Sequence, residues 1–100
     1  MAMELGGQHT IAATATALDS SNTPCRILTI RLELGASICY FGNSDLTIAP
    51  TNAHGYLVAS ATAGESWTFG PFDIGSGIKP SEIFIVGTAD DVLFWNGLPA

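Results

Sequence analysis

Charge is what this chain most lacks. Of its 100 residues, 12% are Asp, Glu, Lys or Arg, about half the ~25% of an ordinary soluble protein. Three are basic (Arg26, Arg31 and Lys79) against nine carboxylates, which leaves a net charge of −6. Nucleic-acid binding draws its affinity from Lys and Arg that neutralise phosphates. Three scattered cations do not supply that, so no nucleic-acid partner is expected. An acidic chain suits a neutral or basic protein partner instead. Monomers also keep their surfaces charged to stay soluble and apart. A low-charge chain rich in Ala, Thr, Ser and Gly therefore fits a life in contact with other chains.

Cysteine and histidine are as sparse, two of each. A structural zinc site takes about four ligands at short spacings. Cys25, Cys39, His9 and His54 include no Cys-x-x-Cys pair and stand far apart, so neither a metal nor any other cofactor is expected. The two cysteines fall on neighbouring predicted strands, where a bridge is geometrically feasible. A cytosolic origin favours free, buried thiols. Long apolar runs are missing too: none approaches the ~20 residues that span a bilayer. The start, Met1-Ala2-Met3-Glu4-Leu5-Gly6-Gly7, lacks the basic start and apolar run of a secretory signal. No membrane partner is expected. The chain is expected to be made in the cytosol and to stay there unless packaged into something larger.

Catalytic patterns are also thin. Nucleophilic catalysis needs a nucleophile, a base and an orienting group that converge, and no Gly-x-Ser-x-Gly elbow accompanies the two histidines. Glycosidase chemistry needs two facing carboxylates, whereas most of the nine acids fall in predicted turns. Asp90-Asp91 lacks the alternating acids of a calcium loop. Gly75-Ser76-Gly77 lacks the lysine and the helix of a phosphate loop. The chain is expected not to be an enzyme.

What is present is a string of short strands. Residues 1–8 read as a flexible N-terminal arm, small and glycine-bearing, ahead of one domain over residues 9–100. Residues 9–18 alternate Thr with Ala or Ile over part of their length, a strand period. Residues 25–34 form the clearest strand, with Leu28, Ile30, Leu32 and Leu34 on one face and Ile27, Thr29, Arg31 and Glu33 on the other. A surface ion pair between Arg31 and Glu33 would be worth little. Further strands are predicted over residues 37–41, 46–48, 56–59, 66–69, 83–86 and 92–95, with Trp67 and Phe69 on one face. A single helical turn fits Pro80-Ser81-Glu82, and residues 96–100 read as a tail. Seven to eight short antiparallel strands with turns every ten residues or so predict an all-β domain, a small β-sandwich or jelly-roll-like barrel.

The aromatic residues admit two readings. Strand alternation places most of them in a small core, where aromatic side chains carry much of the buried area. Exposed, Tyr56, Trp67 or Trp95 would instead make a sugar-stacking platform. Trp95, near the C-terminus, is the one expected at an interface.

The succession Tyr40-Phe41-Gly42-Asn43-Ser44-Asp45-Leu46-Thr47, Gly55-Tyr56-Leu57, Ala63-Gly64-Glu65-Ser66, Ile83-Phe84-Ile85-Val86-Gly87-Thr88 and Val92-Leu93-Phe94, across residues 38–95, resembles small β-proteins of tailed bacteriophages. The resemblance implies a structural virion protein. Because the chain has no fibre segment, it implies a capsid decoration or cement protein on the outside of the head. Its partners would be the major capsid protein lattice and its own copies, as a homo-oligomer, with a trimer favoured and a dimer open. Contacts are expected at the ends and loops, through Leu5, His9, Tyr56, Trp95 and Leu98, and through the arm ordering on a neighbour as an added strand. The alternative is a glycan- or receptor-binding module of a fibre or tail.

Overall fold

In the computed structural model, residues 5–47, 52–60, 62–73 and 77–99 are described. They form eight strands: β1 (Leu5–Thr10), β2 (Thr16–Ala17), β3 (Cys25–Leu32), β4 (Cys39–Gly42), β5 (Gly55–Leu57), β6 (Ser66–Phe69), β7 (Phe84–Gly87) and β8 (Val92–Pro99). One sheet has the order β1-β8-β3-β6 and the other β2-β7-β4-β5, and every pairing is antiparallel. Consecutive strands thus alternate between two facing sheets except for β4 and β5, which pair with each other, the interleaved order of a jelly-roll sandwich. Pro80–Glu82 makes the expected single turn, of 3-10 type.

Strand alternation builds the core. In β3, Leu28, Ile30 and Leu32 point inward and are fully buried. Leu93 and Trp95 of β8 lie beside them, and Cys39, Phe41, Leu57 and Ile85 face them from the second sheet. Two connections close the gap between the sheets. Ile11 donates to the Asp91 carbonyl (2.7 Å) and the Ala12 carbonyl accepts from Gly87 (3.1 Å), so the chain changes sheet directly after β1. That crossing is why residues 9–18 do not run as one strand. On the other side the chain passes from β5 to β6 through an Ala59–Gly64 bridge.

Four sequence expectations are corrected. Residues 5–8 are not a free arm: they pair with β8 in register, Leu5 opposite Gly97 and Gln8 opposite Phe94. Of the two glycines that suggested flexibility, Gly6 serves close approach: a Cβ there would lie 2.8 Å from the Trp95 carbonyl oxygen, whereas one on Gly7 would meet the Trp95 indole at an ordinary 3.7 Å. Residues 1–4 lie outside the described residues. The tail is not a tail, because Asn96 to Pro99 continue β8 against β3. Leu34 does not join the face of Leu28, Ile30 and Leu32: β3 ends at Leu32, Gly35 turns at φ +79°, and Leu34 is 56% exposed. Of the strand expected at 46–48, Leu46 is buried without being in a strand, and Ile48 lies outside the described residues.

Candidate functional site

The five residues expected at an interface do not come together. Trp95 is 6% exposed and belongs to the core. Nearness to the chain end misled the reading; strand parity decides, because Leu93, Trp95 and Gly97 alternate inward. Leu5 packs against the same core. His9 is half-buried, with Nε2 3.1 Å from the Thr16 hydroxyl, so it ties the rim strand of one sheet to that of the other. Burial lowers its pKa below the ordinary 6.5, opposed by a hydrogen bond to the Leu18 backbone and by Asp19. Leu98 and Tyr56 are exposed, but on opposite outer faces, since they belong to different sheets.

The second sheet presents the candidate contact surface. Cys39 opposite Leu57 points inward, and Tyr40 opposite Tyr56 points outward. Continuing that register puts Ile38 across from Val58 on the outer face. Ile38 and Val58 are exposed and Tyr56 is 59% exposed. The Tyr40 and Tyr56 rings meet at 6.2 Å with a 54° tilt. On the other flank Tyr40 faces Val86, which is buried. Ile38, Tyr40, Tyr56 and Val58 therefore make an apolar block, with Val86 covered beside Tyr40 and the Glu65 carboxylate at its edge, where it accepts the Val58 backbone N–H at 2.9 Å. Soluble monomers seldom expose a contiguous apolar patch beyond a few hundred Å² unless it binds something.

Trp67 sits elsewhere. It shares the inner face of β6 with Phe69, as expected, but β6 is the edge of its sheet. Its ring lies 5.4 Å from Phe41 and edge-on to His54 at 5.8 Å and 85°. Phe69 meets Phe41 edge-on at 5.7 Å. This cluster closes the side of the sandwich between β5 and β6, each ring pair adding about 0.5–1.5 kcal/mol beyond burial. Tyr56, Trp67 and Trp95 thus lie on an outer face, at a rim and in the core, and form no common platform.

The first sheet's outer face is polar across β6 and the middle of β3 and β8, and apolar at one end, where Leu98 stands opposite Ile27. Thr29 and Thr68 are directly opposed and hydrogen-bonded at 3.0 Å. Arg31, Ser66, Asn96, Gln8 and Thr10 share that face. The remaining titratable groups are dispersed. Asp91, considered for calcium, accepts the Ser37 backbone N–H at 2.8 Å. Among the described residues no three His, Cys, Asp or Glu side chains gather as a metal site. Cys25 and Cys39 are free and buried, and burial raises both thiol pKa values, that of Cys39 to about 11.

No family model matches the chain, and no curated protein matches it. Among solved structures it is similar to a protein described with the disulfide-linked pili of Bacillus endospore appendages, at 18% identity and a TM-score of 0.47, over 100% of this chain and 88% of the other.

Proposed function

We propose that this protein is a structural subunit that works by assembly rather than by chemistry. It joins its own copies through the outer face of β7, β4 and β5 and acts as a cement protein on the head of a tailed phage. The observation that carries the reading is the apolar block of Ile38, Tyr40, Tyr56 and Val58, with charge only at its edge in Glu65, on a chain of net charge −6. Two copies of like charge approach best through a face whose centre carries none, and interface cores are depleted of charge. Covering the block gains on the order of 1 kcal/mol for each half-exposed side chain. The phage assignment rests on the resemblance of residues 38–95. A jelly roll suits it, although that fold serves capsids, lectins and much else and assigns no function by itself.

A cement protein binds the assembled shell and not its free subunits, and mass action turns that preference into shell stability. The test is to purify heads with and without this protein. The expected result is a fixed ratio of this chain to the major capsid protein, with DNA lost at lower temperature from heads that lack it. Equal retention of DNA on heating would overturn the cement assignment. The block's role in self-association is tested separately in solution.

A further inference from the structure

The polar outer face holds an arrangement that the assembly reading does not use. β8 turns Phe94 outward between Gln8 of β1 and Arg31 of β3, both directly opposite it in register. Beyond Arg31, in the same row, stands Ser66. The next row on one side carries Asn96 opposite Thr29. On the other side Thr10 pairs with Val92, whose carbonyl accepts from Glu33. One half-buried aromatic ring is therefore ringed by hydroxyls, amides, a guanidinium and a carboxylate. Two surface depressions meet there, sharing Arg31 and Phe94. One, of about 530 Å³, extends past Glu33 and Thr62; the other, of about 420 Å³, runs along Thr29, Ser66 and Asn96. Among the described residues the Arg31 guanidinium and the Glu33 carboxylate have no hydrogen-bond or ion-pair partner, although the sequence pairs them two apart on one face.

We infer that this face is a binding site for a neutral saccharide, with Phe94 as the platform. A pyranose ring has a C–H face that lies on an aromatic ring and an equator of hydroxyls that both donate and accept. Arg31 offers donors only, Glu33 acceptors only, and Asn96, Gln8 and the Thr and Ser hydroxyls offer both. Each hydroxyl pair of a sugar thus finds a complement, and the opposite charges of Arg31 and Glu33 give no net preference for an ion. An acidic ligand would meet Glu33 and a protein of net charge −6. The two depressions extending from Phe94 suit an oligosaccharide of more than one residue. Specificity rests on buried apolar contact plus a few placed polar groups, the usual division of labour in small-ligand sites.

The site is on the opposite face from the assembly block, so its test stands apart from that reading. The intact protein is screened on an array of neutral hexose and N-acetylhexosamine oligomers alongside uronic- and sialic-acid oligomers and acidic peptides. Neutral oligomers that bind are then titrated by amide chemical-shift mapping. Expected are binding to a neutral oligomer, shifts centred on residues 29, 31, 66, 94 and 96, and roughly five- to tenfold weaker binding for Phe94→Leu. That substitution keeps an apolar side chain while removing the ring face, and Thr29→Val serves as a second, milder variant should it fold poorly. Unchanged oligomer size in both variants would separate the site from assembly. No binding to any neutral oligomer, preference for acidic oligomers or peptides, or shifts centred on Tyr56 or Trp67 would each overturn the inference.

Discussion

The two outer faces of this sandwich are built from the same kind of strand and present opposite chemistry. On the β7-β4-β5 face, Ile38, Tyr40, Tyr56 and Val58 stand together without a charge. On the β8-β3-β6 face, Thr29, Thr68, Arg31, Ser66 and Asn96 surround a single ring, Phe94. Both faces lie on the far side of one core, so core packing does not require either pattern. What differs is what each can exchange for water. The first gains by being covered with something equally apolar. The second keeps its hydrogen bonds to solvent until a ligand supplies equivalents, since unmatched polar groups cost more than matched ones return.

The comparison can be broken most sharply at β8, where neighbouring aromatic residues are assigned to opposite sides. Trp95→Ala is expected to destabilise the fold by about 3–5 kcal/mol, and Phe94→Ala by no more than roughly 1–2 kcal/mol, read as denaturant midpoints at equal slope. Similar losses for both would show that the outward placement of Phe94 is wrong.

Next in size is self-association. A charge placed in the middle of an interface is left unpaired on burial. The double variant Ile38→Asp with Tyr56→Asp, two like charges on one face, is expected to weaken self-association by roughly a hundredfold or more, on the order of 3 kcal/mol, while melting stays within a few degrees of wild type. Thr68→Lys, the matching insertion on the polar face, is expected to leave association unchanged. Gel filtration with light scattering reads both. Loss of association in the Thr68 variant alone would reverse the roles of the two faces.

The thiols give a subtler check on the core between the faces. With Cys25 and Cys39 buried and their pKa values raised, little thiolate is present at neutral pH. Alkylation is expected only after denaturation, as mass spectrometry would show. Rapid labelling of native protein would mean that the sheets part readily.

The smallest effect is at the rim. His9 has its pKa lowered by burial, so the folded state favours the neutral ring. Its contribution is complete above the unfolded value of 6.5 and is lost as pH falls below that value toward the depressed folded one. Wild type is expected to lose more stability than His9→Gln on acidification through this window. Identical pH profiles would show that the His9 ring is not held away from water at the rim.

Much of the fold was legible because it follows from parity. Leu28, Ile30 and Leu32 alternate with Thr29 and Arg31, and Trp67 shares a face with Phe69, as a period of two requires. Turn residues marked most boundaries. What parity does not encode is which sheet a strand joins. Residues 9–18 read as one stretch, yet the chain changes sheets at Ile11 and Ala12, a crossing fixed by long-range hydrogen bonds to Gly87 and Asp91. Gly6 suggested mobility, because a missing Cβ looks the same whether it frees the backbone or lets β1 lie against the Trp95 backbone. The candidate surfaces were harder still. Tyr56 is among the contact residues the sequence suggests, but Ile38 and Val58 become its neighbours only through the β4–β5 register, and the polar ring around Phe94 needs four strands in place. Alternation of Ile38 with Cys39 and of Val58 with Leu57 was the available signal for the first surface. Nothing local signalled the second.

The most direct test of assembly through an uncharged face is sedimentation equilibrium of the wild-type protein across a salt series. Added salt screens the repulsion between acidic copies and strengthens apolar burial when the anion is sulfate. The account predicts a defined oligomer that tightens as sodium sulfate rises and becomes monomeric in the Ile38→Asp, Tyr56→Asp double variant. A wild-type protein that stays monomeric throughout, or an oligomer that loosens with salt as a charge-paired interface would, contradicts it.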